Sequence, residues 1–120
     1  METTLYDHKG NPVCYLENDG IFYLFDGKQA GYIEENIVYA FTGHHLGWFE
    51  EGWIRDHKGR RVFYTSSATG SGPVTPTRHA KPLKASKRGP IKKEIRHRPR
   101  VKPVKSSSWS ALSGEMFFYQ

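Results

Sequence analysis

The chain has 120 residues, 37% of them hydrophobic, and a net charge of +6, an apolar content low enough that part of it is expected to lie outside any packed core. No run of about 18 apolar residues is present, which excludes a transmembrane helix, and the start Met1-Glu2-Thr3-Thr4 has neither the basic nor the apolar stretch of a secretory signal. The one cysteine, Cys14, excludes an internal disulfide and a Cys-rich zinc site, and a reducing cytoplasm is the simplest home for it.

Residues 5 to 65 are four tandem copies of a unit about sixteen residues long. Gly10, Gly27, Gly43 and Gly59 mark the copies. Five residues before them stand Leu5, Phe22, Val38 and Ile54, and four before them Tyr6, Tyr23, Tyr39 and Arg55. Three after come Val13, Ala30, Leu46 and Val62, and five after come Tyr15, Tyr32, Trp48 and Tyr64. Periodicity of this kind takes precedence over local propensity. Each copy reads as strand, glycine turn, strand, turn, with the β-branched and aromatic residues that strands favour and glycine where the chain needs φ > 0. Second turns are expected at Glu17-Asn18-Asp19-Gly20, Glu34-Glu35-Asn36 and Glu50-Glu51-Gly52, with Asn and Gly in the left-handed positions. An open row of hairpins would leave two unpaired edges, and closure removes them. The expected fold is therefore all-β: four hairpins over residues 1–66 closed into a pseudo-four-fold ring. Tyr15, Tyr32, Trp48 and Tyr64 are expected at related places in its core.

From residue 67 to 108 the period stops. Six of the seven prolines lie here, interleaved with Lys and Arg, so an extended, disordered basic arm is expected. Residues 109–120 concentrate Trp109, Leu112, Met116, Phe117, Phe118 and Tyr119. Such a peptide has to dock, on the head or on a partner, and Trp109, Leu112, Phe117 and Phe118 are the docking candidates. Charge divides the same way. Residues 1–65 hold six basic and ten acidic side chains, a net −4, whereas residues 66–120 hold twelve against two, a net +10.

These residues carry a resemblance. Leu5-Tyr6-Asp7-His8-Lys9-Gly10-Asn11-Pro12-Val13, Gly31-Tyr32-Ile33-Glu34, Leu46-Gly47-Trp48-Phe49-Glu50 and Ile54-Arg55-Asp56-His57-Lys58-Gly59 together resemble the bacterial four-fold beta-flower proteins over roughly the first half of the chain. The resemblance implies the ring, a basic tail and a Ser-Trp…Phe-Phe ending, and it implies no particular activity. Tyr-Asp repeats and Trp-Gly β-repeats also alternate aromatics with glycine turns, but with longer periods.

No nucleophile–base pair, phosphate-binding glycine loop or His-Glu metalloprotease motif is present, and no catalytic residue, metal or cofactor is expected. His8 and His57 occupy equivalent turns, and His44 and His45 should point to opposite faces of a strand; solvated turn histidines are the plain reading. Cys14 shares its column with Gly31, Gly47 and Phe63, which marks a small or apolar packing slot. Glu17, Glu34 and Glu50 are equivalent, with Ser66 in the fourth place. They form an acidic rim, either plainly solvated or a docking surface for the arm or another basic partner. Lys84, Lys87, Arg88, Lys92, Lys93, Arg96, Arg98, Arg100, Lys102 and Lys105 are the candidates for binding nucleic acid or another polyanion by charge alone. Trp109 and the terminal aromatics could add stacking, or insertion at an anionic membrane surface. The alternative is an adaptor whose arm is only a linker and whose C-terminal peptide docks on the head or a protein partner.

Overall fold

The computed structural model describes residues 2–69, 75–87, 93, 95–96, 98–106, 108–112 and 114–120. Eight antiparallel strands form one closed barrel in sequence order: β1 (Thr3–Tyr6), β2 (Pro12–Leu16), β3 (Ile21–Leu24), β4 (Gln29–Glu34), β5 (Ile37–Tyr39), β6 (His45–Glu50), β7 (Trp53–Arg55) and β8 (Arg61–Tyr64). The ring closes where β1 meets β8 at Tyr6 and Tyr64. The aligned glycines turn each hairpin at φ +82°, +92°, +93° and +78°. In the second set of turns Gly20 and Gly52 are left-handed as expected, but Glu35 takes that conformation in place of Asn36, and Glu51 joins Gly52 in it.

Each hairpin shifts register at the same place, between Leu5 and Tyr6, Phe22 and Tyr23, Val38 and Tyr39, and Ile54 and Arg55. A bulge adds twist and bends a strand. Four equivalent bulges curl eight short strands into a ring narrow enough to close.

Strand alternation then sorts the columns. Leu5, Phe22, Val38 and Ile54 point inward and are fully buried in one core, with Cys14, Leu46, Val62 and Phe63. Tyr15, Tyr32, Trp48 and Tyr64 are buried at related places, as expected, but outside that central cluster. They lie on the outer face. Across each seam between hairpins they meet the next column: Tyr15 stacks on Tyr23 at 5.6 Å, Tyr32 on Tyr39 at 5.5 Å and Tyr64 on Tyr6 at 5.5 Å. The inner column and the tyrosine columns are all made of large, strand-favouring side chains, so size alone does not distinguish the inner face from the outer; the alternation from Leu5 to Tyr6 does.

The ring does not complete its own core. In the column of Cys14 and Phe63, two copies have glycine, and the C-terminal peptide occupies the space they leave. A short 3-10 turn, Gly114–Tyr119, carries Phe117 and Phe118 into the core, where both are buried. A Cβ on Gly31 would stand 3.3 Å from the Phe118 ring, and one on Gly47 3.3 Å from the Phe117 ring. Phe63 contacts both rings, at 5.6 and 6.0 Å, and Phe22 packs on Phe118 at 5.8 Å. Gln120 Nε2 donates to the carbonyl of Phe117. The peptide therefore docks in cis.

Candidate functional site

The arm runs around the outside of the ring. Its described residues carry neither helix nor strand, in keeping with proline and charge, but they lie along the head, where the sequence suggests a free arm. Four carbonyls set the path. Those of Thr77, Ser86, Ile95 and Val104 pass Gly10, Gly27, Gly43 and Gly59, each about 2.0–2.4 Å from where a glycine Cβ would be. The aligned glycines thus serve twice, for the left-handed turn and for the close passage of the arm. Those four arm residues are nine apart. At about 3.1 Å per extended residue, four such arcs span about 110 Å, which matches the circumference of a disc 37 by 36 Å. Backbone bonds hold the girdle: His79 N–H donates to Gly10, Ala85 to Phe25 and Ser106 to Gly59. Further on, Arg61 and the strap Ser108–Ser110 exchange two bonds, and Ser110 Oγ donates to Asp56 Oδ2 at 2.6 Å. Trp109 closes the strap against Trp53 at 5.8 Å and His8 at 6.2 Å, and Leu112 packs at the edge of the core.

Side chains follow the same period. Lys84 lies over the ring of Tyr15 at 4.4 Å, Lys87 over Tyr23 at 4.5 Å, Lys93 over Tyr32 at 4.4 Å, Arg96 over Tyr39 at 5.7 Å and Arg78 over Tyr6 at 5.8 Å. The tyrosine stacks thus present π faces to a row of cations. The rim acids meet the same arm: Lys87 pairs with Glu17 at 3.0 Å, Arg96 with Glu34 at 3.3 Å, Lys102 with Glu50 and Lys105 with Glu51 at 2.8 Å. Lys84 pairs with Glu2. The hydrogen bond to Glu17 raises the Lys87 ammonium above its ordinary range, and that to Lys105 lowers the Glu51 carboxyl. Each of these exposed pairs is weak and screened by salt; the girdle is held by their number and by its backbone bonds.

Of the ten polyanion candidates, Arg88 and Lys92 lie outside the described residues. Lys84, Lys87, Arg96, Lys102 and Lys105 face carboxylates, whereas Lys93, Arg98 and Arg100 have no carboxylate partner among the described residues. Arg78 and Lys81, not among the sequence candidates, are likewise without one. The nine-residue spacing of Arg78, Lys87, Arg96 and Lys105 was the signal that would have placed Arg78 with the others.

The third seam, where β7 meets β6, departs from the rest. Arg55 replaces the tyrosine there and is fully buried, donating from Nη1 to the carbonyls of Gly59 and Ser106. Arg61, its cross-strand neighbour, stacks on Trp53 at 4.3 Å; burial and Arg55 lower its guanidinium from the ordinary value. Two histidines complete the seam and correct the reading of solvated turns. His44 is exposed, but His45 is buried against Trp48 at 4.5 Å and His57 at 4.9 Å. His57 Nε2 donates to the His45 carbonyl at 2.6 Å. The Arg100 N–H points at His45 Nδ1 at 3.3 Å, so the His45 proton sits on Nε2 and is donated to the Gly47 carbonyl at 3.1 Å. Burial first, then the neighbouring His57, push the His45 pKa down to about 4. A base with a lowered folded pKa binds its proton more readily in the unfolded chain. Its contribution to stability is therefore present above about 6.5 and lost as pH falls toward about 4. The urea midpoint is expected to drop between pH 7 and pH 5, and to drop less in His45→Gln; equal drops in both proteins would assign the effect elsewhere.

Cys14 is fully buried, and burial raises its thiol far above the ordinary range. No cluster of three or more His, Cys, Asp or Glu residues converges among the described residues, and no helix among them is long and apolar enough to cross a membrane.

A ring of four bulged hairpins, girdled by its own tail and plugged by its own C-terminus, is a distinctive arrangement. The family profile described as "4-fold beta flower protein" matches residues 3–118. The chain belongs to the 4-fold beta flower family. The match runs through the arm and the C-terminal peptide, beyond the hairpins that carry the resemblance in sequence, so in this beta-flower protein girdle and plug fall within the family's span. No curated protein and no solved structure matches the chain.

Proposed function

We propose that this beta-flower protein is a non-enzymatic binding module whose basic girdle engages a polyanion such as nucleic acid. The observation that carries this reading is the charge layout of the girdle: Arg78, Lys81, Lys93, Arg98 and Arg100 are arrayed along it without carboxylate partners among the described residues, on a chain of net charge +6. The adaptor alternative, with Phe117 and Phe118 presented to a partner, is weakened because those rings fill the ring's own core.

Because the C-terminal peptide completes that core, head and tail are not fair test pieces, and the experiment uses full-length protein. Fluorescence anisotropy with a labelled single-stranded oligonucleotide is expected to show affinity falling steeply with salt. The triple variant Lys93→Gln, Arg98→Gln, Arg100→Gln should lower the slope of log affinity against log salt by about 2, at roughly 0.7 for each phosphate no longer neutralised. A salt-insensitive affinity, or a triple variant with the wild-type slope, would overturn the reading.

A further inference from the structure

The four seams are not equivalent where the arm meets the rim. At the first two, the cation following the arm's close carbonyl reaches a rim glutamate: Lys87 to Glu17 and Arg96 to Glu34. At the third, Lys102 and Lys105 take Glu50 and Glu51. At the fourth, where β8 closes on β1, the cation is Arg78, and the residue in the rim position is Ser66. No carboxylate pairs with Arg78 among the described residues; its guanidinium lies over Tyr6 at 5.8 Å.

The seam is also hollow. A cavity of about 590 Å³ opens there, lined by Thr3, Thr4, Ser66, Ser67, Arg78 and Lys81 among others. A second of about 370 Å³ adjoins it, sharing Ser66 and Arg78. The one carboxylate in the larger cavity, Glu2, is turned to Lys84. What remains is a guanidinium fork, an ammonium group and several hydroxyls around space from which the rim carboxylate is missing. Arginine presents paired donors that match a tetrahedral oxyanion, and hydroxyls satisfy its remaining oxygens.

We propose that this broken seam binds the phosphate group of a small phosphate-bearing ligand. The ligand's oxygens stand where Glu17 and Glu34 place theirs in the repeats that keep the acid. The site goes beyond the polyanion reading: it depends on Ser66 and Arg78, whereas that reading is tested on Lys93, Arg98 and Arg100.

The test is an amide NMR titration of the full-length protein with inorganic phosphate and with pyrophosphate, against sodium chloride of equal ionic strength. Saturable shifts confined to residues 66–67 and 78–81 are expected, with a dissociation constant on the order of 1 mM for phosphate and tighter binding of pyrophosphate. Ser66→Glu supplies the residue that three repeats already carry, so its spectrum should remain that of the folded ring. The new carboxylate should pair with Arg78 and weaken phosphate at least tenfold; Arg78→Gln should do the same without adding a negative charge. Shifts reproduced by chloride, shifts spread evenly over the girdle, or a Ser66→Glu protein that binds phosphate as the wild type does would each overturn the proposal. Loss of the oligonucleotide salt slope with this titration intact would overturn only the polyanion reading.

Discussion

Replacing Phe117 and Phe118 together with alanine is expected to unfold the protein at 25 °C, although neither residue belongs to the four-hairpin repeat. Both rings are buried in the core that holds Leu5, Phe22, Val38 and Ile54. Truncating one buried phenylalanine costs about 3–5 kcal/mol. Phe117 and Phe118 pack edge to face at 5.3 Å, so their losses couple and do not simply add. A small domain has only about 5–15 kcal/mol of stability in total, and a ring of about 60 residues buries a smaller share of its surface than a larger fold does. Each single variant should lower the urea midpoint markedly, and the double variant should lose its near-ultraviolet dichroism without denaturant. A double variant with the wild-type midpoint would show that the peptide rests on the ring without completing it.

Gly47→Ala is expected to be nearly as damaging, for a different reason. Gly47 is not left-handed; it is glycine because of what passes beside it. An added Cβ would stand 1.9 Å from the Arg55 carbonyl oxygen and 3.3 Å from the Phe117 ring. The first is backbone of the neighbouring strand β7, so no side-chain rotation relieves the clash. Gly47 pairs with Val38 on β5 on its other side, which leaves the strand nowhere to move. Overpacking a well-packed core costs typically about 1–3 kcal/mol and occasionally more, and a backbone clash belongs at the upper end. Chemical denaturation should register a loss of about 3 kcal/mol, with faster proteolysis at the C-terminal peptide as Phe117 is pushed out. A loss no larger than that of an exposed strand substitution would mean that β6 and β7 separate easily. In the same column Cys14→Gly is the informative contrast: it removes a fully buried side chain where Gly47→Ala adds one.

The two variants act on couplings that no local stretch of the sequence carries. The period of sixteen to seventeen residues and its glycines were enough to fix the hairpins, their order and the closure between first and last copies. The packing slot at Cys14 was legible because two copies put glycine there. What those glycines were empty for was not legible: Phe117 and Phe118 are some 70 residues or more from the slots they fill, and nothing local couples the two. The tyrosine columns are visible as repeats, but the face they take is not. An aromatic is buried equally well by a core or by a covering arm, and nothing in the arm's proline-rich, basic composition says that it covers anything. The burial of His45 and His57 is hidden for the same reason, since the third seam that covers them is built from Trp48 and a backbone N–H of the arm.

The sequence by itself determined the ring, because a repeated strand–glycine–strand pattern has few ways to bury its apolar side and satisfy its edges. It also determined that the head is acidic and the arm basic. Only the tertiary structure decided that the arm lies on the head in nine-residue arcs, that the last residues plug the core, and that one seam of four is left open beside Ser66. Those outcomes depend on long-range fit — arc length against circumference, cation against π face and carboxylate, ring against empty column — and such fit exists only once the hairpins have closed.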